Sequence, residues 1–136
     1  MIVVDANQIA YLLIGGEGTE AARQVLLKDP EWAVPLLWRS EFRSILAQYM
    51  RRKEITLSNA IKLQRKAEQL VAGREYLVSS ELVLRMAATS KCTAYDSEYL
   101  ALAQQLHVSL VTTDRQILSA CPSHALSPKT FLNEGA

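Results

Sequence analysis

The stretch that most constrains this chain is Ile2-Val3-Val4-Asp5-Ala6-Asn7, a β-branched apolar run that stops abruptly at a carboxylate. Apolar residues in succession, with no polar alternation, predict a strand buried on both faces, as in a parallel sheet covered by helices. Asp5 then stands at the strand's carboxyl end. In open α/β sheets that edge carries the ligand crevice, so a rigid element holds an acid where a ligand would sit.

Three further acids occupy comparable places. Leu110-Val111-Thr112-Thr113-Asp114 is a second β-branched run that delivers a carboxylate at its end. Ala94-Tyr95-Asp96 opens a helix capped by Thr93, and Arg39-Ser40-Glu41-Phe42 opens another for which Ser40 is the expected cap. Helices that follow strands begin where those strands end. Two strand ends and two helix starts are therefore expected on one edge of the sheet.

The remaining pattern fills in an alternating α/β chain. A first helix over Gln8 to Ile14 should stop at Gly15-Gly16, and Thr19 is the expected cap of a second, Glu20 to Leu27. Trp32 to Trp38 reads as the second strand, with Pro35 near its end or on an edge. Helical spacing of Phe42, Ile45, Leu46, Tyr49 and Met50 predicts a third helix over Ser40 to Lys53. A fourth starts at Thr56 or Ser58 and runs to Leu70, before a brief strand at Tyr76-Leu77-Val78. A fifth helix follows from Ser80 to about Lys91, then the helix of Asp96, packing through Tyr99, Leu100, Leu102, Ala103 and Leu106. After Asp114 come a short helix, Arg115 to Ala120, and an expected edge strand within Ala125 to Leu132; Asn133 to Ala136 are expected to fray. The 136 residues predict one domain over 1–136.

Net charge of +1 conceals an uneven distribution. Nine of the fifteen Lys and Arg residues fall between Arg39 and Arg74, against Glu41, Glu54 and Glu68 alone among acids there. Taken by itself such a block is ordinarily a solvated helix surface. Beside an acidic crevice, however, it suits a polyanion whose backbone is gripped by cations while acids hold a metal at the reacting phosphate. Arg43, Arg51, Arg52 and Lys53 are the candidate contacts to such a polyanion. Cys92 and Cys121 share no metal-binding spacing and are expected reduced. The first apolar segment lacks a basic leader and carries Asp5 within it, and no run reaches membrane-spanning length, so a cytoplasmic protein with no membrane partner is expected.

Converging carboxylates need relief. Two unit charges roughly 5 Å apart at an effective dielectric of about 20 repel by about 3 kcal/mol. Several such pairs are a large penalty against a domain stability on the order of 5 to 15 kcal/mol. Protonation or a hard divalent cation must offset it. Oxygen ligands favour Mg²⁺ or Mn²⁺ over zinc, and His107 and His124 are isolated. Such an ion would orient a water, lower its pKa and neutralise a scissile phosphate, with Asn7 and Thr112 orienting the ligands by hydrogen bonds. Singly, each acid has an ordinary explanation as a turn or cap residue; Glu98, two residues from Asp96, is expected on a solvated face.

In order and spacing, Ile2 to Asn7, Ser40-Glu41, the Tyr95-Asp96-Ser97-Glu98-Tyr99-Leu100-Ala101-Leu102-Ala103 helix and Leu110 to Arg115 resemble the four acidic blocks of PIN-domain ribonucleases, VapC-type toxins above all. The third and fourth blocks are the most specific part, and the match covers essentially the whole chain. The resemblance implies a three-layer α/β/α fold around a central, mainly parallel sheet of four to five strands. It implies a Mg²⁺- or Mn²⁺-dependent endoribonuclease acting on RNA such as tRNA or rRNA. It also implies a homodimer and a cognate VapB-type antitoxin whose C-terminal segment obstructs the site. Carried over by position, Asp5, Glu41, Asp96 and Asp114 are the catalytic and metal-binding acids, with Asn7 and Thr112 as polar companions. Some members place another acid two residues after the last Asp; Gln116 stands there, leaving a second metal fewer ligands.

Two other phosphoryl chemistries also place an Asp after a first strand. A haloacid-dehalogenase-type site requires a second Asp two residues on, where this chain has Asn7, and a receiver domain requires adjacent acids and a late Lys. From another class, a catalytically inactive PIN-fold binding module or regulatory subunit would keep the fold without the chemistry. The repulsion within an unused acid cluster argues against it.

Overall fold

The computed structural model describes residues 1–134. Five strands form one parallel sheet: β1 (Ile2–Val4), β2 (Trp32–Pro35), β3 (Glu75–Tyr76), β4 (Leu110–Val111) and β5 (Ala125–Leu126), in the order β3-β2-β1-β4-β5. Eight helices connect and cover them: α1 (Ala6–Ile14), α2 (Thr19–Lys28), α3 (Trp38–Arg51), α4 (Leu57–Leu70), α5 (Ser80–Ser90), α6 (Ala94–Leu106), α7 (Arg115–Ala120) and α8 (Pro128–Asn133). This is the expected α/β/α arrangement. Every residue of β1, β2 and β4 is buried, as unbroken apolar runs require when helices cover both faces.

α6 lies across β1, β2 and β4 with α5 packed on its outer side. Enclosure from two sides explains why Ser97 and Ala101 are buried along with the expected packing face of Tyr99, Leu100, Leu102 and Ala103. α1 packs against β1 and touches α2, α3 and α4. Trp32, Trp38, Phe42, Ile9, Leu100 and Leu110 fill the core. Gly15 closes α1 with φ of 104°, a conformation that a side chain disfavours. Gly18 precedes α2 with φ of 93°, and a Cβ there would meet the Tyr11 ring at 3.2 Å. Among the described residues, no helix is long and apolar enough to cross a membrane.

Several expected boundaries shift. β2 ends at Pro35, and α3 begins at Trp38 with Leu37 in the cap position, so Ser40 lies inside the helix and caps nothing. The apolar run Leu36-Leu37-Trp38 serves a turn and a buried helix start as readily as a strand, and pattern alone does not separate them. Thr19 is the first residue of α2, and its hydroxyl donates to the Tyr11 carbonyl at 2.5 Å, while Gly18 takes the cap position. β3 is Glu75–Tyr76, and Leu77 is 81% exposed. The expected strand over Ala125 to Leu132 shrinks to two residues, because Ser127 caps and Pro128 starts α8. Asn133 ends that helix instead of fraying; Gly135 and Ala136 lie outside the described residues.

Candidate metal-binding active site

The strand order places a topological switch at β1 and β4. The chain steps from β1 to β2 and β3 on one side, then returns to β4 and β5 on the other. β1 and β4 pair in register Val4 with Val111, so Asp5 and Thr112 follow side by side at the sheet's carboxyl edge. There lies a cleft of about 210 Å³ whose lining includes Asp5, Asn7, Glu41, Asp96, Tyr99 and Asp114. All four expected acids meet in it. A larger cavity of about 570 Å³, bordered by Arg85, Gln104, Cys121 and His124, has no carboxylate in its lining.

Each carboxylate is delivered by the start of a helix. Asp5 caps α1: Oδ1 accepts from the Gln8 N–H at 3.1 Å, and Oδ2 accepts from the Thr112 hydroxyl at 2.5 Å. The Thr112 oxygen in turn accepts the Asp114 N–H at 3.0 Å, so one fully buried hydroxyl ties the two strand-end acids together. Asp114 caps α7, accepting from the N–H groups of Gln116 at 2.9 Å and Ile117 at 3.1 Å. Asp96 lies in the first turn of α6, its N–H bonded to the Thr93 hydroxyl at 3.0 Å. Glu41 lies in the first turn of α3, where its Oε1 accepts a hydrogen bond from the Tyr99 hydroxyl. These positive helix ends favour negative charge.

The electrostatics are those of crowded, partly dehydrated acids. Burial pushes the Asp5 carboxyl up to about 6, against the hydrogen bonds from Thr112 and Gln8, with Glu41 and Asp114 adding repulsion. Glu41 is raised by burial, opposed by the Tyr99 hydrogen bond and reinforced by Asp96 and Glu98. Asp96 is raised by burial and then by the charge on Asp114. Burial, followed by the charge of Glu41, drives the Tyr99 phenol far above its usual range, so it stays a donor.

Among the described residues, no three His, Cys, Asp or Glu side chains stand close enough to hold an ion between them. The carboxylates share the cleft while protein donors hold three of them back. Their chemistry nevertheless fits a hard cation: the available donors are oxygens, and the charge that burial and repulsion disfavour is what a divalent ion would neutralise.

The polar companions divide. Thr112 is buried beneath the acids, whereas Asn7 is exposed on the cleft wall. The cations do not enter. Arg43, Arg51, Arg52 and Lys53 are absent from the lining, and Arg51 lies ten residues beyond Glu41 on α3, about 15 Å by helical rise. Arg43 bonds the Arg39 carbonyl at 3.0 Å, and Arg52 faces Glu54 at 3.8 Å and the Tyr49 ring at 5.0 Å. Two members of the basic block are structural. Arg39 forms a fork on Glu75 at 2.7 and 2.8 Å and reaches Glu68 at 3.2 Å, and Arg74 bonds the Trp32 and Leu70 carbonyls. Glu98 is half-buried and raised by desolvation, not on the solvated face expected for it. Gln116 contributes only its backbone N–H to the Asp114 cap.

Tyr99 and Ser44 also line the cleft, and the sequence pattern gave Tyr99 only a packing role. Both follow an acid by three residues on one helix, the spacing that puts side chains on a common face.

Known proteins bear on this geometry. Ribonuclease VapC3 of Pyrobaculum aerophilum is 27% identical over 125 residues, which cover 90% of this chain and 95% of that protein. A toxin-antitoxin complex from Klebsiella pneumoniae contains a chain of similar fold, with a TM-score of 0.70 and 17% identity, covering 94% of this chain and 98% of that one. FitAcB from Neisseria gonorrhoeae gives a TM-score of 0.75 at 17% identity, covering 95% and 99%. The PIN domain profile matches residues 2–121, which contain all five strands but β5 and all four acids of the cleft, and the chain belongs to the PIN domain family.

Proposed function

We propose that the protein is a metal-dependent endoribonuclease cleaving RNA phosphodiester bonds, and the toxin of a type II toxin-antitoxin pair. The observation that carries this reading is the meeting of Asp5, Glu41, Asp96 and Asp114, from four separate elements, in one cleft at the β1–β4 switch point. Similarity to a protein named Ribonuclease VapC3 supports the substrate class. Likeness in fold to a chain of a toxin-antitoxin complex supports a VapB-type antitoxin as partner. A homodimer is part of the same reading.

Asp5, Asp96, Asp114 and Glu41 would hold Mg²⁺ or Mn²⁺, which when bound supplies Lewis-acid activation of water and neutralisation of the scissile phosphate. The chain's own residues do the positioning. Thr112 holds Asp5 with one bond and the Asp114 backbone with another, so both strand-end carboxylates keep a common orientation. The α1 and α7 amide groups keep Asp5 and Asp114 in place as helix caps. Asn7, exposed on the wall, offers an amide donor to a phosphate oxygen. Arg51, at the end of α3, and Lys53, in the turn just beyond it, would grip the RNA backbone away from the reacting bond.

The test is cleavage of total cellular RNA, including tRNA and rRNA, by antitoxin-free protein with Mn²⁺ or Mg²⁺, alongside EDTA and Asp5→Asn controls. Discrete cuts confined to the metal lanes and lost in the variant are expected. Uncut RNA together with no Mn²⁺ binding would instead favour a PIN-fold binding module.

A further inference from the structure

Tyr99 sits where two acids of the cleft are coupled. It follows Asp96 by three residues on α6, lines the same cleft, and is only 2% exposed. Its hydroxyl donates to Glu41 Oε1, and Glu41 belongs to α3, 58 residues away in sequence. A single helix face therefore presents one carboxylate of its own and restrains another from a different layer.

A buried phenol hydroxyl needs an acceptor, and the one it takes here is a carboxylate of the cleft, carried by a different helix. A buried hydroxyl aimed at a half-buried carboxylate has a further consequence. It occupies one oxygen of Glu41 and limits rotation of the carboxylate, leaving Oε2 as the oxygen available to an ion in the cleft that Glu41 shares with Asp5 and Asp96. Side chains that orient ligating carboxylates ordinarily affect metal affinity by about 10- to 100-fold.

We propose that Tyr99 is a positioning residue that fixes the Glu41 carboxylate for divalent-metal binding, so that α6 supplies both a ligand, Asp96, and the group that sets a second ligand. This inference rests on the reading of the cleft as a metal site. It differs from the roles given to Asn7 and Thr112, which act at the strand ends.

The experiment is a Mn²⁺ titration, by calorimetry and by the Mn²⁺-dependent rise in Tm, of the wild type, Tyr99→Phe, Glu41→Gln and the double variant. Tyr99→Phe should melt near the wild type in EDTA yet bind Mn²⁺ about 10-fold more weakly. In the Glu41→Gln background the same change should cause no further loss, because its route is gone. Glu41→Asp, which withdraws the carboxylate from the phenol by one methylene, should weaken Mn²⁺ binding with Tyr99 left intact. Unchanged Mn²⁺ affinity in Tyr99→Phe, or an equal loss in both backgrounds, would overturn the inference while leaving the metal site standing. Absence of Mn²⁺ binding by the wild type would overturn the metal-site reading and this inference with it.

Discussion

Replacing Asp5 by Asn should stabilise the metal-free protein near neutral pH, although Asp5 caps α1. The carboxyl is 8% exposed and pushed from 3.8 to about 6, chiefly by burial. At 1.36 kcal/mol per unit, a native state holding the charged form at pH 7.5 forgoes about 3 kcal/mol relative to the protonated form. Asparagine keeps an oxygen for the Gln8 N–H, but its other group is a donor, so the Thr112 hydroxyl loses its acceptor at Oδ2. A lost hydrogen bond of that kind costs about 1 kcal/mol. The net gain is about 2 kcal/mol, roughly 6 °C in Tm for a domain of this size.

The pH dependence carries the sign. Because the folded value lies above the unfolded one, the wild type's advantage from protonated Asp5 is complete below pH 3.8 and is lost as pH rises through about 6. The variant lacks that loss. Urea unfolding of both proteins in EDTA between pH 4 and 7.5 should therefore show a difference that grows with pH and levels off above about 7, at equal m values. A variant less stable than the wild type at pH 7.5, or a difference that does not change across the range, would refute the argument that burial of this charge is a net cost.

Asp96→Asn should melt in EDTA at or above the wild-type temperature, since burial and Asp114 disfavour its charge, and should lose the stabilisation by Mn²⁺. For the wild type that stabilisation is about 2.7 kcal/mol at a hundredfold excess over Kd; a scan in EDTA placing the variant well below the wild type contradicts this. Arg51→Ala with Arg52→Ala should weaken RNA binding and flatten its dependence on salt while Mn²⁺ affinity stays constant, as counterion release requires. An unaltered slope returns both residues to the solvated surface. Glu75→Gln should destabilise by about 1 to 2 kcal/mol, because Glu75 receives the Arg39 fork and the Trp38 indole N–H at 2.5 Å, with Arg39 partly exposed. Those bonds hold the Glu75 carboxyl below its usual 4.5, so the difference is present above that pH and fades as pH falls through the lowered value; acid unfolding curves that stay parallel would argue otherwise.

Local chemistry made much of this molecule readable. The runs Ile2-Val3-Val4 and Leu110-Val111 cannot be satisfied at a surface, and each ends in polar residues that start a helix, so the positions of Asp5 and Asp114 at one sheet edge follow from nearest-neighbour pattern. Thr56 and Thr93 cap their helices as expected, and their bonds span only three residues. Where several structures satisfy one local pattern, the sequence was ambiguous. The apolar segment after Pro35 gives no signal for ending a strand, and Ser40 has the chemistry of a cap without occupying that position.

Other features depend on which distant segments meet. That Thr112 bridges Asp5 and Asp114 needs the β1–β4 register; that Tyr99 reaches Glu41 needs α6 beside α3; that Arg39 and Arg74 leave the free basic surface needs β3 beside β2. A residue's type and spacing determine what bonds it can make and which helix face it occupies. Which bond it makes, and how far burial shifts its charge, is set by the packing of elements remote in sequence, because dehydration and hydrogen bonding act only across the distances that packing creates.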